Sequence, residues 1–411
     1  MGLRRLSFPL HYQILSAMFA GGLFGYFFAT ATVYTDWMGE IFLRALNMII
    51  VPLVLLSVTT GVSSTGGSGS LGRLGMKTIG FYLFSTLAAI LTGFTLVSLI
   101  KPGEGSDLGF RVPVEDISLA GESFGSTLKN IIPDNIFNAM AEGQMLPVIF
   151  FAVIAGYFIT RVEPDRSRVL NDVLNAALDV IMKITLFIIR FTPLGIFSLT
   201  AKVIAQQIII GNSISDVLGR LGLYTLTVMA GLLFHGLVTL PLLVRFIGRA
   251  NPLRHLKNMA TPLLTAFSTS SSNATLPLSM EAVENRDGVS NRIASFTLPL
   301  GATINMDGTA LYECVAVMFI AQAYGIDLSI TQQLLVIFTA LLAAIGSAGI
   351  PMAGLVMMAV VLKAVGLPME GIGLVLAVDR ILDMFRTTIN VYGDTCAAVV
   401  IARSEGEILK I

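Results

Sequence analysis

Six stretches of this sequence, near residues 13–34, 41–62, 78–100, 144–160, 182–210 and 221–244, are long and apolar. A helix needs about 20 apolar residues to cross the hydrocarbon of a bilayer. The chain is 55% hydrophobic and 13% charged, whereas a soluble domain carries about 25% charged residues. Lipid must therefore face many of its apolar side chains, and the sequence predicts an all-α polytopic membrane protein. The formal net charge is zero, which argues against nucleic acid as a partner. Cys314 and Cys396 lie in apolar stretches and predict neither a disulfide framework nor a zinc cluster. His11, His235 and His255 share no metal-ligand spacing. The first apolar run lacks a cleavable signal pattern and reads as a retained helix.

Basic residues set the expected orientation. Arg4 and Arg5 precede the first run, Arg73 and Lys77 follow the second, Arg161, Arg166 and Arg168 follow the fourth, and Arg245, Arg249, Arg254 and Lys257 follow the sixth. Their recurrence after every second crossing predicts a cytoplasmic N-terminus. The acidic, Gly-rich segment from Lys101 to Gly121 reads as an outside loop. Short loops make a cell inner membrane the expected location.

Beyond Arg254 polar residues enter apolar stretches, where each is costly and usually functional. Two segments are wrong for plain spanning helices. Thr261 to Met280 holds a serine run ending near Pro277, and Gln332 to Val365 is interrupted by Gly346-Ser347-Ala348-Gly349-Ile350-Pro351-Met352-Ala353-Gly354. Small residues with proline break a helix and expose backbone donors and acceptors. Such backbone is tolerated at membrane depth only where protein buries it or it lines a cavity. A serine-rich packing face and a small-residue packing motif are the alternatives, but the pair together favours two re-entrant hairpins. Each is followed by a helix expected to carry a polar break, at Asn305-Met306-Asp307-Gly308-Thr309 and at Asn390-Val391-Tyr392-Gly393-Asp394. With the six runs this makes eight transmembrane helices plus two hairpins. The hairpins start on opposite sides, giving inverted repeats of the secondary-transporter kind.

The last helix carries Asp379, Asp383, Arg386, Asn390 and Asp394, spaced by 4, 3, 4 and 4 residues. At about 100° per residue these form one polar stripe. A surface amphipathic helix is the alternative, opposed by the apolar flanks Val375, Leu376, Ile389, Val399 and Val400. Arg386 offers a planar fork suited to a carboxylate. Asp383, on the same face, can hold an ammonium. Asn390 and Asp394 offer hard oxygens suited to an alkali cation.

On the stretches Phe42 to Pro52, Asn130 to Phe151, Ser270 to Pro277, Ser295 to Tyr312, Gly346 to Gly354 and Asp379 to Asp394, the chain resembles the glutamate transporter family, the dicarboxylate/amino acid:cation symporters. The resemblance covers essentially the whole chain. It implies a homotrimer working by an elevator motion, with hairpin two as outer gate. Scaffold segments would be 1–70 (helices 1 and 2) and 111–217 (helices 4 and 5). The moving part would be 71–110 (helix 3), 218–250 (helix 6) and 251–411 (hairpin 1, helix 7, hairpin 2, helix 8).

The resemblance also implies roles for residues. Arg386 matches the arginine that binds the substrate's distal carboxylate, and Asp383 the carboxylate that binds its amino group. Thr309, Asn390, Ser272 and the backbone at Ile350 and Gly354 match the other substrate contacts. One sodium site would use carbonyls of Gly301, Asn305 and Asn390 with the Asp394 carboxylate. A second would use backbone of Thr303, Met306, Ala344, Ile345 and Ser347. A third would use Asp307 and Asn305 with Tyr82, Ser85 and Thr86. Ala344 stands where a serine is common, which carbonyl ligation does not need. Archaeal members carry an arginine near the first hairpin tip and animal members one in the last helix, but Ser270 and Met384 occupy those positions here. Glu313 matches the glutamate of proton-coupled bacterial and animal members, where sodium-only archaeal members usually have glutamine. Protons and, on the return step, potassium are therefore further candidate ions beside sodium.

The sequence-level conclusion is a symporter of acidic amino acids with sodium, not an enzyme. A neutral amino acid or dicarboxylate symporter on the same fold is one alternative, opposed by Arg386 for neutral substrates and by Asp383 for dicarboxylates. An intramembrane hydrolase is the other. It would need a second aspartate facing Tyr392-Gly393-Asp394, or a histidine or lysine partner for the serine run.

Overall fold

The computed structural model describes residues 10–63, 70–105, 131–210, 214–345 and 353–411, and these are helical with no strand among them. The first apolar run is a helix only as far as Phe27 (α1, Leu10–Phe27), after which a 3-10 turn covers Ala29–Tyr34. Then come α2 (Asp36–Ser63) and α3 (Ser70–Ile100). The short α4 (Ile136–Glu142) is capped by Asn135, whose side chain accepts from the Phe137 and Asn138 amides, and it stops at Gly143 with φ 65°. It leads into α5 (Met145–Ile159).

The fifth run departs from expectation. Helix α6 starts already at Pro164 (Pro164–Ile189), and α7 (Thr192–Ile210) follows after a 52° bend. The sequence explains both ends. Pro164 favours a helix start, and Pro193 removes an amide that a continuous helix would need at the bend. Next are α8 (Ile214–Phe234), a π-helical turn over His235–Thr239, and α9 (Leu240–Phe246). Four helices among the described residues are long and apolar enough to span, or five if the bent pair counts as one.

After α10 (Pro252–Asn258) the first expected hairpin is present as α11 (Ala260–Thr269) and α12 (Ser272–Ala282). Its turn is at Ser270, φ 51°, while Pro277 lies inside α12. The seventh helix is broken as expected, α13 (Asn291–Ile304) giving way at Asn305 and Met306 to α14 (Asp307–Ala323). The second hairpin's arms are α15 (Ile330–Ile345) and α16 (Ala353–Ala364), and its tip lies outside the described residues. The last helix, α17 (Ile372–Ser404), runs unbroken through Asn390 to Asp394. The expected second break is therefore absent. Gly393 serves close approach instead: a Cβ there would stand 3.0 Å from both Asn305 Nδ2 and Asp307 Oδ2.

Two apolar clusters hold these elements. One joins α2, α5 and α7 to α14, α15 and α16, and the other gathers the start of α3, α9, α13 and the end of α17. Helix α14 is buried almost throughout. Phe84 and Leu91 on α3 and Leu226 and Leu233 on α8 are exposed, as lipid-facing residues would be. Glu405, just past α17, ties that end to α3. A hydrogen bond from Lys77, 2.6 Å, with help from Arg73, holds its carboxyl below the ordinary carboxylate range.

Candidate functional site

The stripe of α17 faces inward. Asp379, Asp383, Arg386, Asn390 and Asp394 are each at most 4% exposed. Arg386 donates to Asp383 Oδ1 at 2.6 Å and lies 3.4 Å from Asp379 Oδ1. Its guanidinium sits over the Tyr312 ring, 4.3 Å from the centroid. Gly354, at the start of α16, abuts the same group, since a Cβ there would be 2.5 Å from Arg386 Nη1. A buried arginine is thus clasped by two carboxylates, one aromatic face and the second hairpin.

One turn on, Asn390 bridges to the helix break. Its Oδ1 accepts from the Gly308 amide at 2.8 Å, and its Nδ2 donates to Thr309 Oγ1 at 3.1 Å. The break leaves first-turn amides of α14 without carbonyl partners, and the Asn390 side chain satisfies one of them. Ser272 is buried at the start of α12, and Phe267 of the first hairpin packs edge-on against Phe385 of α17 at 5.1 Å.

The residues expected to hold cations fall into three groups. In the first, Asn305 Nδ2 donates to Asp394 Oδ1 at 3.0 Å. The Gly301 carbonyl accepts the Asn305 amide at 2.8 Å and keeps a lone pair. Gly301 itself presses against the Asp394 carboxylate and the Tyr82 hydroxyl, leaving no space for a Cβ. In the second, Thr303 stands in the last turn of α13 and Ala344 and Ile345 in the last turn of α15, which touch each other. Two helix C-termini bring unsatisfied carbonyls and partial negative charge together. Met306 is buried beside them, and Ser347 lies outside the described residues, as does Ile350. In the third, Thr86 Oγ1 donates to Asp307 Oδ1 at 2.7 Å, and Ser85 Oγ lies 3.2 Å from that oxygen and 3.3 Å from Asn305 Oδ1. The Tyr82 hydroxyl does not join this group. It donates to the Thr297 carbonyl at 2.8 Å.

Glu313 is fully buried, one turn past Thr309, and neither carboxyl oxygen has a hydrogen-bond partner among the described residues. Sequence reasoning missed three neighbours. Tyr312 underlies Arg386, Arg380 lies 3.4 Å from Asp383 Oδ2, and His235 Nε2 lies 3.1 Å from Asp307 Oδ2. Tyr312 had a signal, being three residues from Thr309 and so on the same face of α14. His235 had a weaker one, a polar ring within an apolar run.

Known proteins match the chain along nearly its whole length. The proton/glutamate-aspartate symporter of Escherichia coli is 34% identical, covering 98% of this chain and 94% of that protein. Excitatory amino acid transporter 3 of Mus musculus is 36% identical over 90% of this chain and 79% of its own. Excitatory amino acid transporter 1 of Ambystoma tigrinum is 34% identical over 90% and 77%. The family model described as sodium:dicarboxylate symporter family matches residues 10–404, and the chain belongs to that family.

Proposed function

We propose that this protein is a secondary symporter that carries glutamate or aspartate across a membrane together with sodium. The carrying observation is the buried pair of Arg386 with Asp383, 2.6 Å apart. A charge buried alone costs several kcal/mol. An acidic amino acid can exchange partners with this pair without leaving one: its distal carboxylate takes Arg386 and its ammonium takes Asp383. A dicarboxylate without the amine strands Asp383, and a neutral amino acid strands part of the Arg386 charge. Thr309, Asn390, Ser272, Gly354 and Ile350 would complete the binding site.

Sodium would occupy the three groups around Asp394, the facing helix ends and Asp307. Oxygen donors of this kind suit a hard cation. Protons are proposed to enter through Glu313, with potassium a candidate for the return step. The named relatives include a proton/glutamate-aspartate symporter, which supports that reading. The elevator division proposed is a scaffold of 1–70 and 111–217, with 71–110, 218–250 and 251–411 moving. Eight spans, two hairpins in inverted repeats, a homotrimer, a cell inner membrane and a cytoplasmic N-terminus complete the proposal.

The test is uptake by the reconstituted protein under imposed sodium, proton and potassium gradients, with aspartate, glutamate, succinate and serine as substrates. Sodium-driven uptake of the two acidic amino acids, with succinate and serine excluded, is expected. Succinate carried as well as aspartate would overturn the pairing argument. A second prediction concerns Gly301→Ala. Its methyl would intrude on Asp394, and such overpacking costs about 1–3 kcal/mol. The sodium concentration for half-maximal aspartate binding should rise about fivefold or more, measured by isothermal titration.

A further inference from the structure

His235 sits at the start of the π-helical turn His235–Thr239, where the Leu240 amide bonds the His235 carbonyl across five residues. Pro241, which has no amide hydrogen, lies just beyond and disfavours a regular ladder there. Such turns occur frequently at functional sites. A Cβ on the next residue, Gly236, would meet the Cδ1 end of Ile389, so this turn lies directly against α17. The His235 ring is fully buried, and its Nδ1 has no partner among the described residues. Its Nε2 lies 3.1 Å from Asp307 Oδ2. A carboxylate that ligates a cation only accepts hydrogen bonds, so on that reading of Asp307 the Nε2 atom is the donor.

The two oxygens of Asp307 thus have different tasks. Oδ2 faces His235, and Oδ1 faces Thr86 and Ser85, whose Oγ also lies 3.3 Å from Asn305 Oδ1. We propose that His235 is a positioning residue for the cation at Asp307: its Nε2–H anchors Oδ2 and thereby aims Oδ1 at the ion. This rests on the reading of Asp307 as a cation ligand. Partners of this kind, one shell out from the ion, fix the orientation of the ligand, and removing one costs about 10–100-fold in ion affinity.

The test is a sodium titration of labelled aspartate uptake in proteoliposomes, for His235→Leu, His235→Gln, His235→Asn and Asp307→Asn. A glutamine amide can reach the place of Nε2, whereas an asparagine amide reaches only that of Nδ1. Leucine and asparagine should raise the half-maximal sodium concentration about tenfold or more. Excess sodium should overcome the shift, and glutamine should recover most of the affinity. If leucine, asparagine and glutamine behave alike, or lower the maximal rate without moving the sodium midpoint, His235 merely fills space and the proposal fails. Asp307→Asn separates the two levels. A shifted sodium response there, with none in the His235 variants, defeats this inference and leaves the Asp307 site standing. An unshifted Asp307→Asn defeats both.

Discussion

Arg386→Ala should abolish saturable uptake of aspartate and glutamate and open the pocket to neutral amino acids. Removing one partner of a buried ion pair costs about 3–5 kcal/mol. If that falls on the bound acidic substrate, affinity drops roughly a hundred- to several-thousand-fold. The structure makes the loss specific. Arg386 lies between Asp379 and Asp383 and over Tyr312, with Gly354 against its tip. No other cation approaches Asp383 as closely among the described residues: Arg380 is 3.4 Å away, on Oδ2. Without the guanidinium the substrate's distal carboxylate would enter a site already holding two buried aspartates. A neutral amino acid brings no second carboxylate and still offers Asp383 its ammonium.

The alanine variant also leaves those aspartates without their shared partner, so folding needs its own readout. Uptake of serine by the same preparation supplies it. Arg386→Lys is the second arm. It keeps the charge and loses the planar fork that spans two oxygens at once. Acidic uptake should fall in that variant but remain measurable. Near-normal aspartate affinity in the alanine variant would show that the distal carboxylate is bound elsewhere.

How far the site could be read from sequence depends on whether its parts share a helix. The stripe from Asp379 to Asp394 follows from spacing alone, because a regular helix puts residues three and four apart on one face. The break at Asn305 and Met306 and the first hairpin turn also carry local signals, small or polar residues within apolar runs. The last helix shows where local signals mislead. Gly393 looked like a breaker, yet α17 continues through it, and the missing side chain admits Asn305 and Asp307 from the facing helix. Contacts across helices were not legible. The distance from His235 to Asp307, 72 residues along the chain, is set by packing and by one π-helical turn. Asp287 and His255, fully buried and bonded at 2.7 Å between Oδ2 and Nδ1, are a further cross-helix pair that ligand spacing alone could not reveal. The early start of α6 was missed for another reason: the polar first half of the helix hid its continuity with the apolar second half.

Glu313→Gln should leave sodium-dependent aspartate exchange intact and remove the pH dependence of net uptake. Glu313, itself fully buried, is one turn past Thr309 on α14, and neither of its oxygens meets a donor among the described residues. An ionised carboxylate held there without donors would be an uncompensated buried charge, costing several kcal/mol. A protonated one is merely a polar group, and glutamine copies its size and neutrality. The variant is therefore expected to fold, bind substrate and exchange it. What it lacks is a group that can release a proton when the surroundings open to water. If one proton accompanies each aspartate, an inward gradient of one pH unit adds about 1.4 kcal/mol to the driving force, or roughly tenfold in accumulation. In the wild type, lowering the external pH by one unit at fixed internal pH and fixed sodium gradient should raise steady-state accumulation toward that limit. The glutamine variant should show no change. The sign matters: a proton moving outward in exchange would make accumulation fall under the same gradient. Wild-type accumulation that ignores the proton gradient, or a glutamine variant that still follows it, would assign Glu313 a structural part and move any proton coupling elsewhere.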